Sequence, residues 1–246
     1  MFDTMYLRKI LEGSIDSTPE KLSIYFKTGR GDYAEHDRFM GITVPTLRKI
    51  AKLNKDIDLE VIKALLQSEY NEERLLALLM LVDQYQKANY TNQEKLCNFY
   101  LDNLNHINNW NLVDSSAHHI LGHFLWDKDR SILTKLALSQ VLWERRIAIV
   151  STWHFIRSHE LDWTFKIAEL LLNDPQDLIH KATGWMLREA GKKDKSRLIL
   201  FLSNHADKMP KTMLRYAIER LSEEEKAQIN YKPSGSRWVT CQTGGR

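Results

Sequence analysis

The residues of this chain best suited to chemistry lie in one short stretch, Asn108 to His123, which reads N-N-W-N-L-V-D-S-S-A-H-H-I-L-G-H. Trp110 and Asp114 are four apart, so on a helix the indole and the carboxylate stand one turn apart on a common face. An aromatic plate beside a fixed negative charge suits a cationic group. The competing reading makes Trp110 a buried anchor and Asp114 a cap or an ion-pair partner.

Three further stretches carry charge or aromatic rings at helical spacing. In D-L-I-H-K-A-T-G-W-M-L-R-E-A-G-K-K, beginning at Asp177, residues Lys181, Trp185 and Arg188 give one face a cation, an indole and a second cation. Gly184 costs about 1 kcal/mol against alanine in a helix interior, which points to a close approach there, by a ligand or by a packed helix. In L-W-E-R-R-I-A-I-V-S-T-W-H-F-I-R, Arg145 and Arg146 diverge, so that one faces a groove while the other pairs outside. A guanidinium so placed could clamp a phosphate by paired hydrogen bonds. The indoles of Trp143, Trp153 and Trp163 read as packing. Near the N-terminus, Pro45 opens a helix at which Thr43, Thr46 and Arg48 could hold a phosphate.

Other chemistries find less support. Gly29 and Gly31 follow no strand and form no nucleotide fingerprint, and the R-G-D at Arg30 to Asp32 reads as chance. His119, His123 and Asp127 have a spacing a metal could use, but neither an H-E-x-x-H pattern nor a cysteine partner accompanies them. No metal and no organic cofactor is expected. There is no nucleophile elbow and no Walker-type loop.

The elements that must position these residues are helices. Helical periodicity dominates from Pro19 onward and no stretch alternates long enough for a strand, which predicts an all-α class. Thr18 before Pro19, Thr91 with Glu94, Asp174 before Pro175, and Ser222 with Glu225 read as helix starts. The helices fall into pairs. First members run over Leu59 to Gln67, Glu94 to Leu104, Ser131 to Leu138, Trp163 to Leu172 and Ser196 to His205; second members begin near Glu72, Asn109, Leu142, Asp177 and Lys211. A step of this length with little sequence repetition predicts a HEAT-like helical-repeat solenoid, curved, with a concave face lined by one helix of each pair. Arg74, Asp114, Arg146, Lys181 and Arg215 then share one helical position, a cationic row interrupted by a single acid. Such a row is a footprint for a phosphate backbone, although scattered surface charge could also produce it.

Composition sets the bounds. With 246 residues, 43% of them hydrophobic, the chain can bury a full core, and a net charge of +3 permits a polyanionic partner without requiring one. Cys97 and Cys241 offer neither a zinc set nor a disulfide framework, which suits a reduced, cytoplasmic chain. The charged N-terminus does not read as a signal peptide, and the longest apolar run, Leu75 to Val82, is too short to span a bilayer, so no membrane association is expected. Residues 1–230 are expected to form one domain; Tyr231 to Arg246 reads as a flexible end or an expression remnant.

Four of these segments, F-M-G-I-T-V-P-T-L-R from Phe39, W-N-L-V-D from Trp110, L-W-E-R-R-I-A-I from Leu142 and H-K-A-T-G-W-M-L-R-E from His180, together resemble the HEAT-like-repeat DNA alkylation repair glycosylases, the AlkD family. The resemblance covers nearly all of residues 20 to 222. It implies that Asp114 is the catalytic aspartate, that Trp110 and Trp185 are aromatic cleft walls, and that Arg146 binds phosphate beside them. Asn111 departs from the second acid of many relatives. With Arg48, Thr43, Lys181, Arg188, Arg74 and Arg215 as DNA-binding candidates, the expected partner is duplex DNA containing alkylated bases, met by a monomer.

The chemistry that the resemblance implies agrees with the residues. Alkylation at purine N3 or N7 leaves a cationic base that departs more readily, and positive charge then moves onto the sugar. A carboxylate there would stabilise the oxocarbenium ion and could position water, while indole faces attract the cation by about 0.5–2 kcal/mol. The resemblance implies an open cleft where many glycosylases flip the base into a pocket. Two alternatives stay open: a noncatalytic solenoid that binds branched or damaged DNA, as some paralogues do, and a protein-binding scaffold.

Overall fold

The computed structural model describes residues 4–229. Cys241 and the segment 231–246 lie outside the described residues. Within them the regular structure is helical: α1 (Thr4–Glu12), α2 (Pro19–Ser23), α3 (Val44–Leu53), α4 (Leu59–Leu66), α5 (Asn71–Lys87), α6 (Tyr90–Asp102), α7 (Trp110–Ser116), α8 (Ser131–Ala137), α9 (Leu142–Arg157), α10 (Asp162–Leu170), α11 (Asp177–Gly191), α12 (Lys195–His205), α13 (Lys211–Ala217) and α14 (Glu223–Ala227). An isolated bridge joins Arg38 to Tyr70, and no strand occurs among the described residues.

From α4 to α13 the helices alternate as pairs. Each second helix packs on the next, α5 on α7, α7 on α9, α9 on α11 and α11 on α13. This is the all-α helical-repeat architecture anticipated from the pattern. The apolar run Leu75 to Val82 explains why α5 sits deep: seven of these eight residues are buried and Leu79 is partly so, which means that α5 must be covered on nearly every side. No described helix is long and apolar enough to cross a membrane.

Helix starts follow local chemistry, with two corrections. The Thr18 hydroxyl accepts from the Lys21 amide with Pro19 in the first turn, and Ser222 with Glu225 makes a complete capping box. The cap expected at Thr91 lies two residues earlier, at Asn89, whose side chain accepts from the Asn92 amide. Asp174 does not cap α11; Gln176 holds that position while Asp174 accepts from its amide and pairs with Arg145. Between α7 and α8 the chain makes a π-helical turn, His118–Gly122. Here the turn packs so closely on α9 that a Cβ at Gly122 would collide with the Ser151 carbonyl oxygen, and such widened turns recur at functional sites.

Candidate functional site

The start of α7 is fixed from below. Asn109, its N-cap, accepts from the Trp110 amide at 2.7 Å and donates through its own side-chain amide to the buried Asp37 carboxylate at 2.5 Å. Trp110 therefore occupies the first turn and Asp114 the next. Across from it, Arg146 of α9 donates from Nε to Asp114 Oδ1 at 2.9 Å and from Nη2 to Oδ2 at 2.8 Å, a two-pronged pair that holds the carboxylate in one orientation. Its remaining nitrogen, Nη1, donates to the Leu178 carbonyl of α11 at 2.6 Å. One guanidinium thus ties together three successive second helices.

This corrects the expected role of Arg146. Its side chain is only 6% exposed against 21% for Asp114, and each guanidinium nitrogen already donates inside the protein, so it orients the acid, and of its five N–H donors only one on Nη1 and one on Nη2 are left for a phosphate. A buried cation is tolerated only when so paired.

Asp114 opens on a cavity of about 930 Å³ walled by Phe26, Phe39, Trp110, His118 and Trp153, with Arg48, Lys52 and Arg157 among its charged lining. On its far side Trp110 also lines a second cavity of about 360 Å³, with Tyr33, Arg146, Lys181, Trp185 and Arg188. Trp110 and the Asp114–Arg146 pair form the partition. Phe26 stacks on Trp110 with centroids 5.1 Å apart and planes at 21°, and leans on Phe39 at 4.9 Å. Trp185 meets Trp153 edge-on at 5.0 Å. A larger groove, about 1410 Å³ along α4 to α6, carries no tryptophan, histidine or arginine.

The structure brings Trp110, Asp114, Arg146 and Trp185 together but rearranges the cationic row. Arg74 is 3% exposed and bound to Asp37, with Nη1 donating to the Ser68 carbonyl at 2.7 Å, so it faces no groove. Nor is the start of α3 an open anion site: Asp16 already accepts from the Thr43 amide at 2.8 Å and from the Thr43 and Thr46 hydroxyls at 2.7 and 2.5 Å. These bonds hold the Asp16 carboxyl below its usual range, the Thr46 hydroxyl contributing most. Lys181 pairs with Asp177 at 2.8 Å, and Arg188 with Glu219. Arg48 and Arg215 are exposed, without an acidic partner among the described residues. Among the described residues no group of three or more His, Cys, Asp or Glu side chains is arranged to hold a metal; His119 meets Gln86 at 3.2 Å and His123 meets the Tyr85 hydroxyl at 2.9 Å.

Several cavity residues escaped the sequence reading. Trp153, assigned to packing, lies seven residues beyond Arg146 on α9, and Arg157 one turn further, so helical spacing alone places them on the Arg146 face. His118 is four beyond Asp114 by the same logic. Phe26 left no such signal, because it follows α2 in an irregular segment.

The family described as DNA alkylation repair enzyme matches residues 11–221. A solved structure titled as a predicted DNA alkylation repair enzyme from Enterococcus faecalis superposes with a TM-score of 0.66 at 17% identity, covering 83% of this chain and 95% of that one. At such identity the likeness is one of fold. No curated protein sequence matches the chain.

Proposed function

Since the chain belongs to the family of DNA alkylation repair enzymes, we propose that it is a monofunctional DNA glycosylase, hydrolysing the N-glycosidic bond of N3-alkyladenine and N7-alkylguanine in duplex DNA to leave an abasic site. The observation that carries this reading is the Asp114 carboxylate, held in one orientation by Arg146 and opening on a cavity walled by Trp110, Phe26 and Trp153. As the bond breaks, charge passes from base to sugar. A preorganised carboxylate stabilises that developing cation without having to reorganise, and the aromatic walls favour the cationic base over its neutral parent. The group proposed to act on the sugar is a carboxylate and not a lysine amine, which is why base release without strand cleavage is expected.

The test is release of free base from duplex DNA methylated at guanine N7 and adenine N3, by the native protein and by Asp114→Asn. Release that falls at least about a hundredfold in the variant, in line with the loss of one electrostatic stabiliser, supports the reading; equal release refutes it. Because Arg146 is buried, a thermal melt of the variant separates lost chemistry from lost fold.

A second reading, noncatalytic binding of branched or damaged DNA, draws on the same ion pair. Both Asp114 oxygens accept from Arg146, which reduces the charge available to a sugar cation. Salt-sensitive duplex binding by the native protein without release of either base favours it.

A further inference from the structure

One turn beyond Asp114, where α7 passes into the π-helical turn, His118 lines the same cavity. The residue is 4% exposed, with its ring against Trp153 at 4.5 Å and against His119 at 3.8 Å between centroids. Neither ring nitrogen has a hydrogen-bond partner among the described residues, and Nδ1 is sealed from solvent. Among the described residues a few other buried side-chain atoms also lack a partner, Glu72 Oε2 in the same cavity wall among them, but His118 is the imidazole of that wall left without one. Asp114 is its opposite, with both oxygens accepting from Arg146. The acid is therefore well placed to act through its field and poorly placed to receive a proton.

We propose that His118 is a further catalytic residue, positioning the attacking water and accepting its proton. This rests on the glycosylase reading. The C1′–N bond breaks and its electron pair leaves with the alkylpurine, which departs neutral; the water oxygen bonds to C1′, and the proton it sheds passes to Nε2 of His118, the ring nitrogen that is not sealed from solvent. The imidazolium so formed returns that proton to solvent. An oxocarbenium ion is so electrophilic that a weak base suffices, and a base that stays neutral adds no second positive charge beside the sugar. The surroundings keep it neutral: burial, reinforced by His119 of the same turn and by Arg157 and His154 of α9, lowers its pKa from 6.5 to about 3. Arg48 of α3 acts on the adjoining His119. Asp114 is the acidic residue one turn away on its own helix.

The experiment is single-turnover base release from an N7-methylguanine duplex by the native protein, His118→Gln and His118→Ala, with duplex affinity measured alongside. Glutamine keeps a hydrogen-bonding side chain but cannot take the proton, so release should slow by about a hundredfold with affinity unchanged. Added imidazole should restore much of the rate to His118→Ala, and the native rate should hold as pH falls through 6.5, where an ordinary histidine protonates. Native rates in both variants, or a loss in His118→Ala that imidazole does not recover, would overturn the assignment. No release by the native protein would overturn the glycosylase reading itself, and the role of His118 with it.

Discussion

The side chain of Asp37 is fully shielded from solvent and accepts from Arg74, from Asn71 at 2.8 Å and from Asn109 at 2.5 Å, with His36 at 3.1 Å. Since Asn109 caps α7, this carboxylate in an irregular segment sets where Trp110 and Asp114 begin. Replacing it by alanine leaves the Arg74 guanidinium buried without its acid. Removing one partner of such a pair costs about 3–5 kcal/mol, so Asp37→Ala should lower the thermal midpoint by roughly 6–20 °C for a chain of this size; an unchanged melt would show that Asp37 is dispensable. The sequence made Arg74 look like a groove cation because helical phase fixes the direction of a side chain and says nothing of a partner 37 residues away. The same limit applied to Arg146, whose position was legible and whose engagement with Asp114 was not. Trp110, Asp114 and Trp185, by contrast, stood out by residue type and spacing alone.

At the scale of elements, periodicity and caps carried most of the fold, since a helix buried on one face must repeat its apolar residues at 3.6. What escaped were features set by a neighbouring helix. The π-helical turn at His118–Gly122 has no local signature; it depends on how closely Gly122 meets α9. Gly184 was legible as a point of close approach, and the neighbour proves to be α13: an added Cβ would meet the Met213 carbonyl oxygen and lie 2.6 Å from the Tyr216 Cβ. Helix packing, and not a ligand, accounts for that glycine. Gly184→Ala gains about 1 kcal/mol in helix propensity but forces backbone apart, at about 1–3 kcal/mol for overpacking or more where a carbonyl must move. The variant should therefore be less stable by urea denaturation, and since Lys181 and Trp185 ride on α11, base release should fall as well. A midpoint at or above that of the native protein would mean that α11 and α13 separate freely.

Across the whole molecule, a net charge of +3 says little about how a duplex would be held; the distribution of unpaired cations says more. Lys181 and Arg188 already face carboxylates, and Arg74 and Arg146 are interior partners. Arg48, Lys52 and Arg157, exposed at the larger cavity, and Arg215 beyond the smaller one, have no acidic partner among the described residues. The proposed DNA path therefore depends on cations at both ends of the site, with the aromatic partition between them. Each phosphate neutralised by such a residue releases counterions and adds about 0.9 to the slope of log affinity against log salt. Arg157→Ala and Arg48→Ala should each flatten that slope by about one such increment and weaken binding to unrelated sequences alike. Arg74→Ala should leave the slope unchanged while destabilising the fold, because its charge never reaches the duplex. Salt titrations of the three variants on one undamaged duplex decide the matter: a slope altered by Arg74→Ala, or left untouched by Arg157→Ala and Arg48→Ala, would put the DNA on a different face.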